Sequence, residues 1–107
     1  MASDKDMVEY IVSQIQDAGI ITYKKMFGEY GIYSDNKIVA LVCDNRFFVK
    51  QTEEGKNFIG DYKEDAPYPG AKMSFLIEDK IDDSDWVSEL IRITAKALPE
   101  PKPKKKK

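Results

Sequence analysis

Two polar pairs, Asp35-Asn36 and Asp44-Asn45, separate short runs of β-branched and aromatic residues, and this punctuation constrains the fold more than any other feature of the chain. Asn and Asp tolerate the positive φ that a tight hairpin demands, because their short polar side chains bond locally to the backbone. The flanking runs at 30–33, 38–43 and 46–50 have strand length and are rich in Val, Ile, Tyr and Phe. Such short connections leave no room for a crossover, so these strands must pair antiparallel as a meander. Residues 20–27 supply a strand before them. Residues 72–78 supply another, after a loop at 61–70 in which Pro67 and Pro69-Gly70 fix turns.

At both ends of the chain the apolar period lengthens from two residues to that of a helix. Met7, Val8, Ile11, Ile15 and Ala18 fall on one stripe of a helix over 4–18. Ser3 and Asp6 have capping-box spacing and Gly19 suits the left-handed position after the last turn. Tyr10 and Met7 are read as packing residues of that helix. Thr52 caps a short helix through Ile59, with Glu53 and Glu54 at its positive end and Gly60 after it. A last helix begins near Asp82, capped by Asp82 and Asp85, and buries Trp86, Val87, Leu90, Ile91, Thr94, Ala97 and Leu98 before Pro99 ends it. The expected fold is α+β in two layers: an antiparallel sheet of about five strands with the N- and C-terminal helices on one face. A chain of 107 residues is one domain's worth, assigned to 1–99, and 100–107 is a Pro/Lys tail with no apolar residue to bury.

The absence of histidine removes the Ser-His and Cys-His nucleophile pairs, the imidazole base and the imidazole metal ligand. A single cysteine, Cys43, allows neither an internal disulfide nor a Cys-x-x-Cys metal site, and in an apolar strand its thiol stays protonated. Asp79, Asp82, Asp83 and Asp85 lack the ligand spacing and central glycine of a calcium loop. Nor is there a dinucleotide fingerprint or phosphate-binding loop. The expectation is a non-enzyme with no catalytic residue, metal or cofactor. Without a long apolar run or a secretory pattern it is placed in the cytoplasm, away from membranes.

Several segments in order resemble one family. Met26-Phe27-Gly28, Tyr30-Gly31-Ile32-Tyr33, the turn around Asn36, Ala40-Leu41-Val42, Asp44-Asn45 and Phe47-Phe48-Val49-Lys50 followed by Glu53-Glu54 are similar to the N-terminal domain of the TfoX/Sxy competence regulators. The likeness runs from about Thr22 through Met73-Ser74-Phe75 into the final helix. It marks Met26, Phe27, Gly28, Tyr30, Gly31 and Tyr33 as structural signature residues, with glycines that let strands bend and aromatics that fill the layer beneath the helices. It implies a non-enzymatic bacterial regulatory module, a transcriptional co-regulator acting beside a DNA-bound activator, present here as a stand-alone domain without the family's helical C-terminal domain.

Alternation within strands points to where a partner would bind. Ile38, Ala40 and Val42 share one side of their strand and Val39, Leu41 and Cys43 the other, so both sides are apolar. Two helices cover one face, which leaves the second to another subunit, a protein partner such as the transcription machinery, or the loop carrying Tyr62 and Tyr68. Arg46, Phe48, Lys50 and Leu76 are the candidate partner-binding residues, with a homodimer among the outcomes. The alternative is a nucleic-acid accessory protein. Phe48 between Arg46 and Lys50 has the makings of a base-stacking site. Of 17 basic and 19 acidic side chains, five lysines and one glutamate lie beyond Pro99, leaving a charge of −6 on residues 1–99. Lys102, Lys104, Lys105, Lys106 and Lys107 are therefore the candidate phosphate contacts. Gly28-Glu29-Tyr30-Gly31 matches the KH clamp only formally, because that loop joins helices and favours basic middle residues.

Overall fold

The structure, a computed structural model, describes residues 5–26 and 29–98. Helix α1 (Lys5–Gln14) and a 3-10 turn (Gln16–Ala18) lead into β1 (Ile21–Met26), β2 (Glu29–Ser34), β3 (Lys37–Cys43) and β4 (Arg46–Val49). Then come α2 (Glu53–Ile59), β5 (Lys63–Asp65), β6 (Ser74–Ile77), a second 3-10 turn (Asp79–Asp82) and α3 (Ser84–Ala97). The described strands form one antiparallel sheet in the order β1-β2-β3-β4-β6-β5. The α+β architecture expected from the sequence is therefore present.

The hairpins form as their turn residues require. Asp35 and Asn36 sit at φ 51° and 72°, and Asp44 and Asn45 at 54° and 57°. Positive φ at both central positions gives the turn a twist that matches the strands it joins. Thr52 caps α2 as expected, its Oγ1 accepting from the Gly55 amide at 2.9 Å, and Gly60 follows at φ 80°.

The core lies between the sheet and the helices. Val8, Ile11 and Ile15 of α1 and Val87, Leu90 and Ile91 of α3 pack on Ile32, Val42, Phe47, Val49 and Phe75. The two long helices are joined by polar contacts as well. Ser84 Oγ and Ser88 Oγ each donate to the Gln14 carbonyl at 2.8 Å, which satisfies an acceptor left open at the end of α1. Lys37 Nζ donates to the carbonyls of Ala95 at 2.7 Å and Leu98 at 3.1 Å, placing a cation at the negative end of α3.

Five expectations need correction. The loop at 61–70 contains β5, too short and polar at Lys63-Glu64-Asp65 to announce itself as a strand, so the described sheet has six strands. The cap of α3 is Asp83, whose Oδ1 accepts from the Trp86 amide at 3.1 Å, while Asp82 ends the preceding 3-10 turn and accepts the Tyr10 hydroxyl. Tyr10 is thus an exposed residue with a polar partner and not a packing residue. Gly19 has a positive φ but lies outside the left-handed helical well: at φ 136°, ψ −163° it holds a conformation essentially reserved for glycine. A Cβ there would also stand 2.7 Å from Ser34 Oγ.

Register supplies the fifth. Ile32 pairs with Ala40 but Tyr33 pairs with Ile38, so Val39 is an extra residue on β3. This bulge breaks the alternation and turns Val39 into the core beside Ala40 and Val42, away from the outer face to which strict alternation assigned it. The Ser3 cap, Phe27, Gly28, Pro99 and the tail lie outside the described residues. Among the described residues no helix is long and apolar enough to cross a membrane.

Candidate interaction surface

The helices leave the other face of the sheet open, and register fixes which side chains it carries. Leu41 pairs with Phe48, and Phe48 with Leu76, so the three share that outer face as a row across β3, β4 and β6. Arg46 and Lys50 lie two positions either side of Phe48 and share the same side. Sequence alternation therefore brought Arg46, Phe48, Lys50 and Leu76 together on one surface.

Their exposure differs from what base stacking needs. Phe48 is 1% exposed, because the Arg46 guanidinium lies over its ring at 5.1 Å and the loop at 66–73 crosses the face nearby with Pro67 buried. Tyr62 does not fold onto this side; it packs edge-on against the core residue Phe75 with ring centres 5.0 Å apart. Tyr68 stands exposed at the rim. Pro67, the buried residue of this loop, lines the same groove as Phe48.

Arg46 also anchors the loop. Its Nη1 donates to Asp65 Oδ2 at 3.0 Å, at the point where β5 gives way to the loop. That bond, helped by the Ala66 amide donating to Asp65 Oδ1 at 2.8 Å, holds the Asp65 carboxyl below its ordinary range. Cys43, beside Glu29, Asp44 and Arg46, has its thiol pushed up to about 11, chiefly by burial and then by Glu29. A protonated thiol at neutral pH is a poor nucleophile and a poor metal ligand. Among the described residues no three Cys, Asp or Glu side chains are grouped to hold a metal ion.

Between the loop and the sheet lies an open groove of about 580 Å³. Leu41 and Phe48 line it from the sheet, Pro67, Tyr68 and Met73 from the loop, and Leu98 from the end of α3. Lys50 and Lys72 line it too, and neither makes an ion pair among the described residues. Lys72, Met73 and Leu98 were not legible as site residues, because three segments far apart in the chain meet only in the folded sheet.

Of the signature residues, Tyr30, Gly31 and Tyr33 are those whose surroundings the structure describes. Tyr30 is buried on the helix side, in edge contact with Tyr23 at 5.9 Å, and Gly31 is buried between Lys24 and Leu41. Tyr33 corrects the expectation that these aromatics all lie beneath the helices. It pairs with Ile38 beyond the bulge and is half-buried, with Lys24 Nζ 5.9 Å above its ring. Met26 ends β1, while Lys102, Lys104, Lys105, Lys106 and Lys107 lie outside the described residues.

Comparison with known proteins places the chain among relatives by sequence. A protein of Spirochaeta aurantia, described as an uncharacterized 12.7 kDa protein in the trpE 5′ region, is 38% identical over 107 residues, covering 100% of this chain and 93% of the relative. The TfoX N-terminal domain family matches residues 13–98, from the end of α1 through α3. The chain belongs to the TfoX N-terminal domain family.

Proposed function

We propose that this protein is a non-enzymatic regulatory module that works in the cytoplasm by binding a protein partner, a component of the transcription machinery, through the outer face of its sheet. Family membership supports the regulatory half of this reading. The observation that carries the binding half is the groove at Leu41 and Phe48, a concavity of mixed apolar and basic lining on the face that the two long helices leave open. Of the large apolar side chains that stand exposed among the described residues, Tyr68 and Met73 both line it. Tyr and Met are enriched at recognition surfaces, where they offer large contact area and an adaptable fit.

The test is site-specific photo-crosslinking in the native cell, with benzoylphenylalanine in place of Met73 and, separately, of Tyr10 on the helix side. The expected result is a covalent adduct to a transcription factor or polymerase subunit from position 73 and none from position 10. Adducts only to nucleic acid, or equal yields of the same protein from both positions, would overturn the reading. A self-adduct from position 73 would make the partner a second copy of the chain.

A further inference from the structure

We infer that the groove at Leu41, Phe48 and Met73 takes an extended acidic peptide segment of the partner, with one aliphatic or aromatic side chain inserted and flanking carboxylates held by Lys50 and Lys72. This rests on the reading of the outer face as a protein-binding surface and specifies its chemistry.

The argument is one of charge set against shape. Residues 1–99 carry a net −6, yet the groove is lined by two lysines and by no carboxylate. Several cations of the described chain are paired elsewhere, Arg46 with Asp65, Lys63 with Glu78, Arg92 with Glu89 and Lys56 with Glu53, while unpaired lysines such as Lys25 and Lys96 line no part of the groove. Lys50 and Lys72 are held in no such pair, so their positive potential is available to a ligand. Around them the net acidic charge of the body disfavours an anionic chain, which biases its approach toward this locus.

The lining favours a peptide over a nucleic acid. A stacking platform needs an open aromatic face, and Phe48 is 1% exposed beneath the Arg46 guanidinium. The arginine that would fork onto a phosphate is already committed to Asp65. What stays open is the groove that Leu41 and Met73 line together with Lys50 and Lys72, and its volume of about 580 Å³ lies in the range of ligand-binding clefts. Peptide recognition of this kind combines an apolar anchor with paired charges.

The full-length protein is titrated into a fluorescein-labelled synthetic peptide of mixed Glu and Asp around a central Leu-Phe, followed by anisotropy at low salt. Saturable micromolar binding is expected, weakened at least tenfold by the Lys50→Glu/Lys72→Glu pair. The Lys25→Glu/Lys96→Glu pair, which makes the same charge change outside the groove, should alter it less than twofold. Replacing the central Leu-Phe by Ser-Ser should cost at least fivefold. In nuclear magnetic resonance spectra the amides of Leu41, Lys50 and Met73 should shift on titration. Equal weakening by both lysine pairs, shifts confined to other residues, or tighter binding of a thymidine oligonucleotide than of the peptide would each overturn the assignment. If Met73 crosslinks a protein while the peptide fails to bind, the acidic-segment inference falls and the protein-binding reading stands. If neither occurs, both fall.

Discussion

Arg46 and Asp65, from strands that are not neighbours in the sheet, are joined across the intervening β6 by a 3.0 Å bond from Nη1 to Oδ2. The same guanidinium covers Phe48, so one side chain ties the end of β5 and the loop that follows it to the floor of the outer face. Arg46→Ala should free that loop, seen as several-fold faster tryptic cleavage after Lys72 with the fold otherwise intact by circular dichroism. The pH dependence has a definite sign. Asp65 has a lowered pKa in the folded state, so its contribution is present above the unfolded carboxylate value and is lost as pH falls through the lowered value. Asp65→Asn should therefore flatten the acid limb of the melting-temperature profile and leave its alkaline limb unchanged.

Gly55 is inside α2, where alanine would normally be preferred by about 1 kcal/mol. A Cβ there would meet the ring of fully buried Phe75 at 2.9 Å and Thr52 Oγ1 at 3.0 Å. The ring has nowhere to move, so Gly55→Ala should destabilise by about 1–3 kcal/mol despite its helix propensity. Urea denaturation checks this, and Gly55→Ala combined with Phe75→Leu should recover part of the loss.

Cys43 is 4% exposed, with its thiol raised to about 11. Reaction with a maleimide at neutral pH should be orders of magnitude slower than for the unfolded chain, and urea should bring the two rates together. Because the folded state keeps the proton to higher pH than the unfolded state, stability is full below the unfolded thiol value. It then declines as pH rises through about 11. Cys43→Ala should remove that decline and be read in alkaline melting curves.

Ser84 and Ser88 donate to one acceptor, the Gln14 carbonyl, so neither alone leaves it unsatisfied. Each single change to alanine should cost about 0.5–1 kcal/mol, and the double change more than the sum, because only then is the helix-end carbonyl without either serine. A double-mutant cycle in urea measures the excess.

Local chemistry made much of this molecule legible. Asp35-Asn36 and Asp44-Asn45 dictate their hairpins through positive φ, Thr52 and Gly60 bound α2, and the apolar stripes of α1 and α3 choose the buried face. Where the reading went astray, the deciding interaction was not local. Lys63-Glu64-Asp65 becomes a strand only because β6 offers it a free edge. Val39 turns inward because a bulge, set by pairing with β2, shifts the count by one.

The outer face divides along the same line. Period-two alternation put Arg46, Phe48 and Lys50 on one side from the sequence by itself, since side-chain direction in a strand is a backbone property. It could not tell that Phe48 would be buried with Arg46 over its ring, nor that Lys72, Met73 and Leu98 would meet Leu41 around a groove. Those contacts depend on where a loop and a helix end are carried by sheet order and crossing. Sequence determined most of the elements and most of the faces they present, β5 and Val39 excepted; only tertiary structure decided which side chains remain open to a partner, because exposure is set by everything packed around a residue and not by its neighbours in the chain.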